Sequence, residues 1–332
     1  MSDRDIHTSV MLERVIELLA PALRRDGAVV IDATLGMGGH SEAMLAAFPS
    51  ARLIGIDRDT DAIAIARRRL DEFSDRVTIV HAVYDEIATA LRQGGVDRVD
   101  GILFDLGVSS LQLDTVERGF AYSKDAPLDM RMNREDELTA ATIVAEYPES
   151  ALRRIFDQYG EEKLSARYAR AIIAARQTAP IETSARLVEI LIDATPAAVQ
   201  RTGHPAKRVF QALRIAVNGE LDALAAALPL ALDSLRVGGR IVILSYQSLE
   251  DRLVKRELQR RSSSTAPQGL PIELPEHSPE LRLLVKGAGR ASDEEITENP
   301  RATPVRLRAA ERLRLIPATS ATRRGSTSGS AP

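Results

Sequence analysis

The chain has 332 residues, 44% of them hydrophobic and 27% charged, enough apolar material for a real core and a length that suits one large domain or two ordinary ones. It contains no cysteine, which excludes disulfides, cysteine-ligated zinc, iron–sulfur clusters and thiol nucleophiles. Lys and Arg number 44 against 47 Asp and Glu, and a net charge of −3 argues against a protein held to nucleic acid by bulk charge alone. Where the cations sit matters more than their sum. Arg252, Lys255, Arg256, Arg260 and Arg261 cluster against Asp251 and Glu257, and Arg301, Arg306, Arg308, Arg312 and Arg314 face only Glu311. Each run reads either as a nucleic-acid contact or as a solvated face. The first residues are polar with no apolar run behind them, and no stretch approaches the roughly 20 apolar residues of a membrane span, so a soluble, cytoplasmic protein is expected.

Apolar residues at helical spacing predict an amphipathic helix over 8–25. Residues 28–32 read as a short buried strand ending in Asp32, followed by a glycine loop, Gly36-Met-Gly-Gly39, and a helix over 40–48. A second strand, 52–57, ends in Asp57 and precedes an Ala/Arg-rich helix, 59–73. Residues 77–81, 87–91 and 99–104 give a strand, a short helix and a fourth strand that stops at Asp105. Alternating strands and helices with short connections are the grammar of a parallel doubly wound sheet. The rhythm breaks from Ser109 to Pro205, where turn-rich sequence gives way to helical stretches at 140–146, 149–159, 166–176 and 184–194. One long Ala/Leu-rich helix is expected over 205–235, and strand grammar returns at 239–245. The expected fold is α/β, a Rossmann-like sheet with an inserted all-helical domain. Its predicted parts are a first cofactor-binding part at 1–108, the insertion at 109–205, the second part of the sheet domain at 206–318 and a disordered tail at 319–332. The Ser/Pro-rich stretch 262–280 reads as a mobile loop.

Glycines between a strand and a helix let backbone approach a ligand, and Asp57, 21 positions after Gly36 at the next strand tip, suits a pair of ribose hydroxyls. Dinucleotide folds place a small residue where Ser41 stands, and Asp32 immediately before the loop would repel a pyrophosphate. It suits a positively charged ligand, which shifts the reading from a nicotinamide dinucleotide toward S-adenosylmethionine. Asp105 is the candidate catalytic residue, at a strand end that faces the cofactor or the acceptor. With no thiol, methylation at carbon 5 of a pyrimidine is disfavoured, because that chemistry needs a covalent adduct. An amine needs only orientation and an acceptor for its N–H, which a carboxylate supplies. His7, His81, His204 and His277 show no metal-ligand spacing, so no metal is expected; His40 differs in opening the helix beside the glycine loop.

Several blocks of the chain resemble the bacterial MraW/RsmH methyltransferases, in family order over roughly residues 7–315. They are His7-Thr-Ser-Val-Met-Leu, Asp32-Ala-Thr-Leu-Gly-Met-Gly-Gly-His-Ser and Asp105-Leu-Gly-Val-Ser-Ser-Leu-Gln-Leu-Asp114, then Glu117-Arg-Gly-Phe120, Pro127-Leu-Asp-Met-Arg-Met132 and Tyr159-Gly-Glu-Glu162. Phe210-Gln-Ala-Leu-Arg-Ile215 with Val217-Asn218, Ser248-Leu-Glu-Asp-Arg252 and Glu298-Asn-Pro-Arg301 complete the set. The resemblance implies a class I methyltransferase sheet and an S-adenosylmethionine-dependent enzyme. Its target would be the exocyclic amine of one cytidine of 16S ribosomal RNA, in the small subunit near the decoding centre. Carried over by position, it implies cofactor contacts at Gly38, Gly39, His40, Asp57, Tyr84, Asp105 and Gln112. Tyr84 stands where the family carries Phe, Ser245-Tyr-Gln-Ser248 replaces Ser-Phe-His-Ser, and Pro205-Ala-Lys-Arg-Val and Arg301-Ala-Thr-Pro-Val-Arg306 also depart from the pattern.

On this reading the inserted helices and the basic segments near Arg252 and Arg306 grip RNA, and Phe120, Tyr122, Phe210 and Tyr246 are candidates to stack on the target base. The expected partner is the small ribosomal subunit or its RNA, with no membrane; monomer and homodimer both stay open. Two rivals remain, a nicotinamide-dependent oxidoreductase and a non-catalytic ribosome-assembly factor that uses the pocket as a sensor.

Overall fold

Runs buried on both faces form the centre of a sheet: β1 (Val29–Asp32), β2 (Arg52–Asp57) and β4 (Val99–Asp105), with β3 (Val77–His81) at one edge. The structure is a computed structural model that describes residues 9–201, 203–267 and 274–315. Helices α1 (Leu12–Leu23), α2 (Gly39–Ala47), α3 (Thr60–Arg69) and α4 (Ile87–Gln93) precede and connect these strands. β5 (Leu235–Ser245), β6 (Leu281–Leu283) and β7 (Arg306–Arg312) complete seven strands in the order β3-β2-β1-β4-β5-β7-β6. β7 runs antiparallel to both its neighbours while β1 to β5 pair in parallel. Alternate side chains serve two cores. Val30, Leu53, Leu103 and Val242 pack on one face with α1, and Ile31, Ile54, Ile102 and Ile243 on the other. The strand order reverses between β1 and β4, which opens a crevice beyond their carboxyl ends. This is the α/β methyltransferase sheet the sequence predicts. Among the described residues no single helix is long and apolar enough to cross a membrane.

A third core belongs to the helical insertion. It comprises α5 (Ser110–Asp114), α6 (Ala140–Glu146), α7 (Glu149–Gln158), α8 (Ser165–Arg176), α9 (Ser184–Ala194), α10 (Ala197–Gln200) and α11 (Ala206–Asn218). The long helix expected over 205–235 is two helices, α11 and α12 (Glu220–Ser234), bent by 58°. Gly219 at φ 60° ends the first in the left-handed conformation that glycine tolerates. The Asn218 side chain fixes the break, accepting from the Met132 N–H at 2.8 Å and donating to the Met130 carbonyl at 2.8 Å. Val209, Phe210 and Leu213 of α11 therefore pack into the insertion, whereas Leu224, Leu228 and Leu232 of α12 pack on the sheet. The helical body thus runs on to Gly219 instead of closing at 205. Strand β5 also begins earlier than the predicted 239, with an irregular start around Gly238 at φ 81°. The predicted tail 319–332 lies outside the described residues, as do 268–273 of the predicted loop.

Much of the arginine-rich C-terminal run is engaged within the protein. Arg306 and Arg308 both bond the Asp251 carboxylate, at 3.0 and 2.7 Å, and Arg312 is fully buried beneath α12. Asp251 lies on α13 (Ser248–Arg261), so β7 uses its cations to hold that helix to the sheet. Among the stacking candidates, Phe120 and Phe210 are buried, and the Tyr122 ring stacks on His204 with centroids 4.6 Å apart.

The insertion is fastened to the sheet by one buried guanidinium. Arg118, 3% exposed, donates to Asp59 Oδ2 at 2.9 Å and to the carbonyls of Arg131 and Met132 at 3.0 and 2.8 Å. Asp59 also caps α3 through the Asp61 N–H. Asp59→Ala leaves that guanidinium with only the half-exposed Asp61 carboxylate, at 3.3 Å, as its anion and is expected to lower unfolding stability by about 3 kcal/mol in chemical denaturation.

Candidate functional site

A cavity of about 470 Å³ opens in the crevice, lined by the glycine loop, the ends of β2 and β4, and residues from both flanks of the insertion. Three carboxylates close the strands that meet there. Asp32 is buried and accepts from Ser41 Oγ at 2.7 Å and the Thr34 N–H at 3.2 Å. Asp57 accepts the Gly36 N–H at 2.6 Å on one oxygen and the Asp59 N–H at 2.8 Å on the other. A carboxylate carries about four acceptor positions, so each oxygen keeps one for a ligand. Desolvation by the surrounding protein pushes the Asp57 carboxyl up to about 6, against the pull of those two N–H groups.

The glycine loop is shaped by what it touches. A Cβ on Gly39 would meet Ser9 Oγ and force that hydroxyl to turn away, so glycine lets these segments approach without a side-chain shift. Gly38, at φ 82°, caps α2 and faces Ala66 and Leu70 of α3; it does not line the cavity, and its part in the site is the turn itself.

Asp105 closes β4. Its N–H donates to Thr34 Oγ1 at 2.6 Å, its Oδ1 accepts the Tyr246 hydroxyl at 2.7 Å, and its Oδ2 lies 3.5 Å from His40 Nδ1. His40 Nε2 meets the Val10 carbonyl at 3.0 Å, and since a carbonyl only accepts, that nitrogen carries the proton. Burial raises the Asp105 carboxyl above the usual range, opposed by His40 and by the Tyr246 hydrogen bond.

Gly39, His40, Asp57, Tyr84, Asp105 and Gln112, distant in sequence, all line this one cavity. The Tyr84 hydroxyl, the atom by which it departs from Phe, donates to the Glu220 carbonyl at 3.0 Å, and its ring packs edge-on against Phe104. Both ends of the Gln112 amide are engaged, Nε2 with Asp59 Oδ2 at 2.8 Å and Oε1 with the Ser109 N–H at 3.1 Å. Gln112 therefore ties the loop after β4 to the start of α3. Three residues at the site carry functions that sequence reasoning did not assign: Thr34 and Tyr246, which hold Asp105, and Arg301, which bonds Ser110 Oγ and Asp114 at the cavity mouth. All three lie within the quoted blocks or beside them, which was their only sequence signal.

A doubly wound parallel sheet with one antiparallel strand, and a cavity beyond the carboxyl ends of β2 and β4 beside a glycine loop, is the architecture of a class I methyltransferase. The chain belongs to the MraW methylase family, whose model matches residues 4–313. It is 66% identical over 322 residues to a protein of Leifsonia xyli subsp. xyli, covering 97% of this chain and 98% of that one. A protein of Clavibacter michiganensis subsp. michiganensis is 68% identical over 310 residues, covering 93% and 98%. Both relatives bear the name ribosomal RNA small subunit methyltransferase H. Among solved structures, an rRNA methylase of Streptococcus thermophilus aligns with 93% of this chain and 100% of its own, at 12% identity and a TM-score of 0.43.

The family's methyl donor is S-adenosylmethionine. The cavity fits it by the free acceptor positions on Asp57, the close glycine backbone at Gly39 and the acid beside the loop, which suits a cationic ligand. Hydroxyl donors bind the ionised form of Asp57, so affinity for S-adenosylmethionine is expected to fall as pH drops through about 6, by up to tenfold per unit. Asp57→Asn should flatten that dependence and weaken binding by about 1–3 kcal/mol in calorimetry; a profile that wild type and variant share would remove Asp57 from the contact.

Proposed function

We propose that this chain methylates the exocyclic N4 amine of a cytidine in the 16S RNA of the small ribosomal subunit. The names of its close relatives and the family match support the RNA substrate. The observation that carries the choice of atom is Asp105, a carboxylate at the crevice in a chain with no cysteine, where an amine can be oriented but a carbon 5 adduct cannot form. A protein that reads ribosomal RNA belongs in the cytoplasm, where subunits are built.

When bound, S-adenosylmethionine supplies an electrophilic methyl group on its sulfonium. Asp57 accepts the ribose hydroxyls, the Gly36–Gly39 turn carries backbone up to the ligand, and the Tyr84 ring offers an apolar wall for the adenine. Asp32 contributes negative charge beside the loop. Asp105 accepts a hydrogen bond from the target N–H, which turns the nitrogen lone pair toward the methyl, and it receives the proton that the nitrogen sheds as the new N–C bond forms. The Tyr246 hydroxyl fixes the carboxylate for this role, and its raised basicity suits a proton acceptor. A base within a stem must first unstack, at a cost of a few kcal/mol, which the inserted helices at the cavity mouth are placed to offset through contacts of their own.

The test supplies labelled S-adenosylmethionine with small subunits lacking the modification and, separately, with naked 16S RNA, and identifies the labelled nucleoside by mass spectrometry. Label in N4-methylcytidine is the expected result; cofactor binding without transfer would favour an assembly factor instead. Asp105→Asn is expected to lower turnover by about 10²–10⁴-fold while the product identity is unchanged. A wild-type rate would place proton acceptance elsewhere.

A further inference from the structure

Two of the quoted blocks have no part in the site as described, Tyr159-Gly-Glu-Glu162 and Ser248-Leu-Glu-Asp-Arg252, and the structure brings them together at the cavity mouth. Glu161 sits between α7 and α8 at φ 48°, a conformation uncommon for a long side chain. Its Oε2 accepts from Ser248 Oγ at 2.5 Å, its Oε1 accepts from Arg252 at 2.8 Å, and its backbone carbonyl accepts from Arg208 at 2.8 Å. Ser248 follows directly on Tyr246 and Gln247, which line the cavity, and the neighbouring Tyr159 carbonyl accepts from Gln211, which lines it too. An exposed carboxylate is thus clasped by a hydroxyl and one guanidinium, with a second guanidinium on the backbone carbonyl of the same residue, beside the opening through which a nucleotide must enter. This donor set also suits a phosphate, since arginine forks match its oxygens.

Beyond this point α13 presents one exposed face made of Arg252, Lys255, Arg256, Gln259, Arg260 and Ser263. The spacing repeats each turn, so the stripe leads outward from the mouth over roughly 15 Å. Among the described residues Lys255 and Arg256 make no ion pair, and Arg260 answers Glu257 of its own helix. In a chain of net charge −3, a row of cations that starts beside the reaction site fits a polyanion lying alongside that site. Glu161 is the one acid of the insertion that reaches this row.

Resting on the reading of the chain as an RNA methyltransferase, we propose that Ser248, Arg252 and Arg208 form a phosphate position for the RNA strand flanking the target nucleotide. The strand continues along the exposed face of α13, and in the free protein the Glu161 carboxylate holds the phosphate's place. RNA binding displaces Glu161, and its charge is an internal competitor for the substrate. The donors around it hold its carboxyl below the ordinary range, Ser248 foremost and then Arg252, so it competes as an anion throughout the neutral range.

The sign of one substitution separates this from a simple latch between the insertion and the sheet. Glu161→Gln, in the full chain, keeps the shape and loses the charge. Binding of a short fluorescein-labelled single-stranded oligoribonucleotide, followed by anisotropy over a salt series, is expected to tighten several-fold. Its log–log salt slope should steepen by about 0.7, the contribution of one phosphate contact regained on a single strand. Arg252→Ala should weaken binding and flatten the slope by a similar amount, and combined with Glu161→Gln it should abolish the gain. Unchanged or weaker binding by Glu161→Gln, or an unaltered slope in Arg252→Ala, overturns the proposal. Methylation of small subunits by the wild-type protein reads the underlying function separately: N4-methylcytidine together with an unresponsive Glu161→Gln removes the phosphate position alone, whereas no methylcytidine removes the RNA reading on which it rests.

Discussion

The arrangement depends on a charge that cannot be left alone. Arg118 is carried into the interior by the turn after α5, where an unpaired guanidinium would cost several kcal/mol, and its partners come from two separate segments, the start of α3 and residues 131–132. Asp59 places it at the head of α3, directly after the ribose acid Asp57. The carbonyls of Arg131 and Met132 place it in the segment that Asn218 grips from the far end of the insertion. The helical body leaves the sheet after Asp105 and returns at Gly219, so two covalent joins alone would leave it free to hinge over the cavity. The Arg118 contact supplies a buried fixed point, beside those of Arg58 with Asp136 and the Asn218 carbonyl and of Glu161 with Ser248 and Arg252. Gly119 beside it, at φ 70°, has no room for a Cβ against the Pro127 carbonyl, so the blocks around 118 and 128 are locked as one piece.

The same crevice concentrates negative charge in a way that discriminates between ligands. Asp32, Asp57 and Asp105 end three adjacent strands, and burial raises all three carboxyls. Among the described residues no arginine or lysine pairs with any of them. A pyrophosphate placed on this glycine loop would meet uncompensated acids. A ligand with a sulfonium, an ammonium and a ribose diol would relieve the desolvation that raises them. The glycine loop by itself is shared with dinucleotide folds; the acids around it are what argue against a nicotinamide enzyme.

Most of the sheet and the principal carboxylates were legible because their signals are local. A buried parallel strand is a short apolar run, and an acid that ends it is visible in the same window. What escaped was decided by partners far away in sequence. The break between α11 and α12 lies inside a strongly helical Ala/Leu run, and only the demand of the Met130 and Met132 backbone on Asn218 explains why the chain turns there. Arg306 and Arg308 look like free cations in the sequence, and nothing local reveals that both bond the one Asp251 carboxylate of α13. Helix α5 did carry a local signal, the Ser109 and Gln112 capping box, but five residues give too little periodicity to be read as a helix.

The departures from the family pattern narrow where proton handling can occur. Where the family carries His, Gln247 donates its amide to Glu250 at the start of α13, and an amide of that kind neither takes nor releases a proton. Where the family carries Phe, Tyr246 adds a hydroxyl that bonds Asp105. Burial raises that phenol well above its usual range, so it stays a donor and cannot serve as the base itself. Both changes point the same way. A titratable group is absent at position 247 and a permanent donor is present at 246, which supports the proposal that the acceptor for the amine proton is Asp105, the carboxylate that Tyr246 orients.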